Sequence, residues 1–281
     1  MKLTNASVFI LGASVALILF WFSASFFDTG KSSISFLTVF AGFKHNQTYG
    51  YIFNFSYAFV PLFASLYGFK IAKRWGMFKS SLGKAIISFS ISLFFWAIGE
   101  LIWAYYNFFL NSNVPYPSWA DAAYVLTYPF LAAGLIYLGQ AMYVKLVLRK
   151  LGGKIFLFVV PLAVIASSWY FLVDIARGGS ITSGGGPLTV FFDVAYPTGD
   201  ALILAMAFLI FGFSFLSLGG RYKWPILFTL TGVVLEYIAD FAFSYTTTVN
   251  TYYNGDWVDF IYLLSLALMC LGITTFDRSD S

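Results

Sequence analysis

The chain has 281 residues, 60% of them hydrophobic, 22% aromatic and only 10% charged, a balance outside the range of soluble globular domains. Its net charge of +4 is no nucleic-acid signal, and no nucleic-acid partner is expected. One histidine, His45, and one cysteine, Cys270, exclude an intramolecular disulfide and the usual zinc and haem ligand sets; no cofactor is expected, and the sequence identifies no metal ligand set.

Eight apolar stretches of about the length that crosses a bilayer follow one another, approximately at 6–27, 50–72, 84–108, 119–147, 155–175, 189–217, 224–245 and 256–275. The expected class is therefore all-α: a polytopic integral membrane protein with eight transmembrane helices and the lipid bilayer as its first partner. The first stretch follows Lys2 and ends in Ser23-Ala24-Ser25, as a signal peptide would, but it is long and has a counterpart at 155–175, so it reads as a helix.

Basic residues alternate between loops. One side carries Lys2, Lys70, Lys73, Arg74, Lys79, Lys84, Lys145, Arg149, Lys150, Lys154, Arg221, Lys223 and Arg278; the other carries only Lys31, Lys44 and Arg177. By the positive-inside rule both termini are expected in the cytoplasm of a cell-membrane protein, with loops 28–49, 109–118, 176–188 and 246–255 outside. Loop 28–49 contains SISFLTVFAGF, long enough for a short interfacial or re-entrant helix, and the sequon Asn46-Gln47-Thr48. The glycine-rich stretch Gly178–Pro187 lacks the lysine of a phosphate loop and reads as a connector.

An internal repeat organises the rest. WADAAYVLTYPFLAAGL (119–135) aligns without gaps to WVDFIYLLSLALMCLGI (257–273) at an offset of 138, sharing Trp, Asp, Tyr, Leu and Gly. Phe53-Asn54-Phe55-Ser56-Tyr57 aligns with Phe192-Asp193-Val194-Ala195-Tyr196 at an offset of 139. The expected organisation is a four-helix unit used twice, 1–148 and 149–281. An even number of spans per unit makes this a parallel 4+4 internal duplication, related by rotation of about 180° about the membrane normal.

The acids are unevenly spread. Of the twelve acidic residues, only Asp277 and Asp280 fall on the expected cytoplasmic side. At about 1.5 Å per residue, Glu100, Asp200 and Asp240 converge on one level of three spans, and Glu236 lies one turn below Asp240 on the same face. No Lys or Arg lies at that depth, so these carboxyls must be protonated, hydrated, hydrogen-bonded or bound to a cation. Mutual repulsion in a poor solvent leads us to expect that the Glu236/Asp240 pair keeps at least one proton when empty. Glu100, Asp200, Glu236 and Asp240, with Trp103 and Tyr237, are the expected ligand or cation chamber. Trp96, Tyr105, Tyr106 and Tyr245 are further candidate aromatic walls.

Asp121, Tyr124, Asp256, Asp259 and Tyr262 are the expected outer mouth. Ser118, Asp121, Asp256 and Asp259 also suit the first turns of the fourth and eighth helices as caps. Tyr124 and Tyr128 share the face of Asp121, so a Tyr–Asp bond within that helix is expected, while Pro129 and Pro197 mark kinks.

Pro115-Tyr116-Pro117-Ser118-Trp119-Ala120-Asp121, then Tyr124, Tyr128-Pro129 and Gly134-Leu135, resemble the P-x-P-S-x-A-D-x-x-Y-x-x-x-Y-P pattern of certain multi-helix membrane sensory regions. Those regions lie N-terminal to diguanylate cyclase, phosphodiesterase or histidine kinase domains. Tyr196-Pro197-Thr198-Gly199-Asp200 is similar to their Y-P-x-G-D element, and the Asp240 helix with Gly255–Tyr262 to their final hairpin. The likeness covers about residues 85–275. It implies a sensor in signal transduction, without catalytic residues; as no output domain follows the last helix, a separate signalling output protein is the implied partner.

Two functions therefore compete: a receptor-like module binding a small ligand or cation in an acidic, aromatic chamber, and a proton- or cation-coupled secondary transporter using the same acids. The crowding of acids toward the outer half favours the first. An enzyme is not expected. Gly199-Asp200 resembles the Gly-Asp of membrane aspartyl proteases, yet Thr198 stands where the usual glycine would be and no Tyr-Asp partner is present.

Overall fold

A computed structural model describes residues 3–28, 47–142, 151–214 and 223–277. The region 29–46, with the expected interfacial helix, Lys31, Lys44, His45 and Asn46 of the sequon, lies outside the described residues, as do the basic residues at 2, 145, 149, 150, 221 and 278.

Helix is the one kind of regular structure among the described residues: α1 (Asn5–Asp28), α2 (Gln47–Tyr57), α3 (Phe59–Arg74), α4 (Ser81–Ala104), α5 (Trp119–Ala141), α6 (Leu151–Ser168), α7 (Pro187–Ser214), α8 (Lys223–Thr248) and α9 (Trp257–Thr274). With α2 and α3 taken as one span, eight are long and apolar enough to cross a membrane. The break at Ala58 inside the stretch read as one helix has a local cause. Pro61 has no N–H to give the Tyr57 carbonyl four residues back, and its ring crowds that carbonyl, so the helix restarts with Pro61 in its first turn.

Four helix starts among the described residues are capped, the first by Thr4, whose hydroxyl accepts from the Ser7 N–H at 3.1 Å. Ser80 accepts from the Gly83 N–H at 2.9 Å. Ser118 and Asp121 form a capping box on α5, and Asp256 accepts from the Val258 and Asp259 N–H groups on α9. The expected caps are thus present. Two helices end in wider, π-type turns, Tyr105–Phe109 after α4 and Trp169–Ile175 after α6, where Leu110 N–H reaches Tyr105 and Ala176 N–H reaches Phe171.

The principal packing pairs are α4 with α5, α8 with α9, α3 with α4, α7 with α8, α6 with α7, α5 with α7, and α9 with α3 and α1. Trp21, Phe53, Phe89, Leu93, Leu135 and Leu263 are fully buried between them. Small residues allow the closest approaches: Ser265 on α9 donates to the Gly232 carbonyl on α8 at 2.9 Å, and Gly272 lies directly on Thr229. One end of the bundle is closed by α9, where Arg74 ion-pairs with Asp277, Tyr67 donates to Asp277 at 2.8 Å and Trp75 Nε1 donates to the Phe276 carbonyl at 2.8 Å. Lys70, Lys73, Lys79, Lys84, Lys154 and Lys223 belong to helix ends on that side, and Arg177 to the opposite one.

A side chain at Gly272 would bring Cβ to 2.1 Å from Thr229 Oγ1 and 2.8 Å from Thr229 N. Because backbone cannot yield as a side chain tip does, Gly272→Val is expected to cost about 1–3 kcal/mol or more by overpacking. Thermal melting of the solubilised protein should fall clearly, whereas Gly12→Ala, with open space around its Cβ, should melt like the parent.

Candidate functional site

A cavity of about 590 Å³ opens between α4 and α5 on one side and α7, α8 and α9 on the other. Its mouth lies at the end opposite the basic helix termini and includes Tyr116, Arg177, Ser183 and Thr248; its floor is apolar, with Leu131, Ile203, Val233, Leu266 and Met269. Between the two, Glu100, Asp200, Glu236 and Asp240 all face the same space, together with Trp103 and Tyr237. Asp121, Tyr124, Asp259 and Tyr262, expected as a separate outer mouth, line this cavity too. Asp256 does not: it is buried behind the mouth as the N-cap of α9.

The acids are met by neutral donors. Tyr124 donates to Glu100 Oε2 at 2.8 Å, Tyr262 to Asp240 at 2.7 Å, Tyr128 to Asp200 at 2.7 Å and Tyr196 to Asp121 at 2.9 Å. Tyr116 donates to Asp193 at 2.7 Å, and Tyr252 to Asp259 at 3.1 Å. Glu236 takes Trp96 Nε1 at 2.7 Å and the Ser265 hydroxyl at 2.5 Å. The Asp200 and Asp240 carboxyls are themselves within hydrogen-bonding reach of each other. Glu100 stands apart from that trio, with the Tyr57 hydroxyl as a second donor within hydrogen-bonding reach and Asp259 as its charged neighbour, so the single level of acids expected from helix rise divides into two groups.

The Tyr–Asp bond expected within one helix is not formed. Tyr124 and Tyr128 reach instead across to α4 and α7, and Asp121 receives Tyr196 from α7. Asp121 spends its other oxygen on the Ser118 N–H and hydroxyl, and a phenol is long enough to span an interhelical gap. Of the further aromatic candidates, Trp96 lines the cavity, but Tyr105, Tyr106 and Tyr245 do not; Tyr105 and Tyr245 are exposed.

The mouth is tied by residues that the sequence reading passed over. Pro197 cannot donate to the carbonyl of Asp193 four residues earlier, and Arg177 Nη1 takes that carbonyl at 2.7 Å. Arg177 Nε also donates to Ser244 at 3.3 Å. The Asp193 carboxylate collects Tyr116 on one oxygen and the Ser183 N–H (2.6 Å) and hydroxyl (2.8 Å) on the other. The glycine-rich connector is therefore more than a spacer: Ser180, Thr182 and Ser183 line the cavity. The i, i+4 relation of Asp193 and Pro197 was the available signal for Arg177; nothing in the sequence pointed to Ser183.

Two loop tyrosines are fixed as donors. Burial, and then the bond to Asp193, pushes the Tyr116 hydroxyl above its ordinary value; burial, and then the Asp259 charge, does so for Tyr252. Among the described residues no three of His, Cys, Asp and Glu stand close enough to hold a metal ion. No family model matches the chain, and neither curated proteins nor solved structures give a match.

Burial, and then the charge of Asp259, pushes the Asp256 carboxyl from 3.8 up to about 8. A raised acid binds its proton more tightly folded than unfolded, so its contribution to stability is greatest in acid and declines as pH rises from about 4 to about 8. Asp256→Asn keeps the cap and removes the titration. Melting temperature followed across that range should decline less steeply in Asp256→Asn than in the parent.

Proposed function

We propose that the chain is an integral membrane protein of the cell membrane, with both termini cytoplasmic, and that it acts as a sensor: a small ligand or cation enters from outside, binds the acid-aromatic cavity and alters the packing of its two halves. The single observation that carries this reading is the cavity itself, a buried space on the scale of small-molecule sites lined by acids on five helices with no basic residue below its mouth. A separate output protein would receive the signal, as the likeness of the PSxAD and YPxGD elements to membrane sensory regions suggests.

The membrane setting is supported by an inverted surface. Val8, Leu19, Phe158, Leu162 and Leu202 are exposed while Glu100, Asp121, Asp200 and Asp259 are buried, an arrangement that suits hydrocarbon outside and water within. The parallel duplication is supported by matched neighbours: α4 with α5 corresponds to α8 with α9, α3 with α4 to α7 with α8, and α5 with α7 to α9 with α3. Matched bonds point the same way. Tyr124–Glu100 corresponds to Tyr262–Asp240, and Tyr116–Asp193 corresponds to Asn254–Asn54, the latter at 3.1 Å. The α1–α9 contact has no counterpart of similar extent among the described residues.

Duplication also suits a secondary transporter. The apolar floor below Glu236 argues against that alternative, since a coupled ion would have no polar path onward. Flux into proteoliposomes separates the two readings: a sensor gives none.

Replacing Glu236 by Gln and Asp240 by Asn removes charge while keeping shape and most hydrogen bonds. The double variant is expected to fold and insert like the parent but, beyond the Asp256 titration, to lose the dependence of melting temperature on pH or added cation. A parent without that dependence, or a variant that retains it, would make the cavity structural. Reporter cysteines in a Cys270→Ser background should react with impermeant reagents from outside at 111–118 and not at 76–82; the reverse pattern would overturn the orientation.

A further inference from the structure

One buried carboxylate oxygen of the cavity wall makes no hydrogen bond of normal geometry. Glu100 is only 4% exposed, it lines the cavity, and its Oε2 takes the Tyr124 hydroxyl at 2.8 Å. Its Oε1 is buried and makes no hydrogen bond of normal geometry, with the Tyr57 hydroxyl as the one further donor in reach of the carboxyl. Leaving a buried acceptor of this kind unmet costs about 1–3 kcal/mol, more when it is charged. A donor supplied from elsewhere would relieve that cost.

Around this oxygen the walls are aromatic. Trp96 lies between Tyr57 and Tyr124, with ring centroids 5.7 and 5.8 Å away, and 5.9 Å from Tyr262. Trp103 continues the wall to Phe243 at 6.0 Å and Tyr252 at 6.4 Å. All of these residues line the cavity. Ring faces attract a cation within about 6 Å. The remaining acids repel an anion: Glu236 takes Trp96 and Ser265, while Asp200 and Asp240 each take one Tyr hydroxyl and lie within hydrogen-bonding reach of each other. Among the described residues no three of His, Cys, Asp and Glu stand close enough to offer a metal ion its ligands. The floor beneath, with Leu131, Ile203, Val233, Leu266 and Met269, suits an apolar body.

Resting on the sensor reading above, we infer that the ligand is a primary organic ammonium with an apolar body. Its N–H donors meet Glu100 Oε1 between Tyr57, Trp96 and Trp103, and its hydrocarbon or aromatic part lies on the floor. This combines the unmet acceptor, the π faces and the apolar end in one molecule. Neither a bare cation nor a carboxylate-bearing ligand uses all three.

The test uses the solubilised full chain and three probes of similar shape: phenethylammonium, neutral 2-phenylethanol and anionic 3-phenylpropionate. Each is followed by melting temperature and by quenching of tryptophan fluorescence, up to about 10 mM, the weak end of specific small-ligand binding. Butylammonium is a second amine, and Na⁺ and Ca²⁺ are run beside them. The expected result is saturable stabilisation by the amines and none by the anion, with binding weakened at least about tenfold, about 1.4 kcal/mol, in Glu100→Gln. Asp174→Asn, which removes one charge away from the cavity, should bind as the parent does.

Equal binding of the alcohol, binding of the anion, unchanged affinity in Glu100→Gln, or no response to either amine would overturn the inference. If the amines fail while protons, Na⁺ or Ca²⁺ still shift melting in a manner abolished by Glu236→Gln with Asp240→Asn, the ligand class is wrong and the sensor cavity stands. If nothing shifts melting, both fall. Should Glu100→Gln fail to fold, Trp103→Leu reports on the same pocket and should weaken amine binding without admitting the anion.

Discussion

The constraint on which the cavity depends is how Glu100, Asp200, Glu236 and Asp240 are kept inside an apolar bundle without cations beside them. Two unit charges about 4 Å apart repel by about 4 kcal/mol even at an effective dielectric near 20, and Asp200 and Asp240 are in contact. Seven of the acids among the described residues take a phenol: Glu100, Asp121, Asp193, Asp200, Asp240, Asp259 and, at the other end of the bundle, Asp277. A phenol donates without introducing charge, and its length lets one helix serve the acid of another. The tyrosines therefore act as struts between helices as well as partners for the acids. They hold open a space that close packing would otherwise remove.

The same device occurs twice. Tyr124 with Glu100 and Tyr262 with Asp240 join the third span to the fourth and the seventh to the eighth. The exchange between α5 and α7 is reciprocal, Tyr128 serving Asp200 and Tyr196 serving Asp121. On the proposed reading, a cation that enters this lattice competes with phenols for carboxylates on both halves at once. That gives a physical route from binding to relative movement of the halves. At the mouth, Arg177 and Ser183 fasten the connector to Asp193, so access to the cavity depends on a strap held by a few polar contacts.

The helices were legible because hydropathy reports burial in hydrocarbon or in a core alike, and the caps were legible because Ser118 and Asp256 precede apolar runs at the right spacing. Helix rise gave the approximate depth of Glu100, Asp200, Glu236 and Asp240, and the lack of any basic residue at that depth pointed them inward, toward the cavity they line. Sequence spacing could not say which tyrosine served which acid, because those bonds cross between helices and depend on rotation about each helix axis. Thus Tyr124 read as a partner for Asp121 and proved to serve Glu100. The break at Ala58 was visible in Pro61, but an apolar run of normal length obscured it. Arg177 read as a lone outward charge, since its target is a carbonyl freed by Pro197 rather than an acid.

The central claim is that the acids face a cation-admitting cavity between the halves, and reagent access tests it most directly. In a Cys270→Ser background, cysteine at position 200, 240 or, as the outward-facing control, 238 would be treated with methanethiosulfonates carrying either an ammonium or a sulfonate head. Ile238 is 42% exposed on the outer surface of α8. The account predicts that the ammonium reagent modifies positions 200 and 240 much faster than the sulfonate does, and leaves 238 largely unreacted within hydrocarbon. Equal rates for the two reagents, or reaction at 238 with none at 200 and 240, would contradict it.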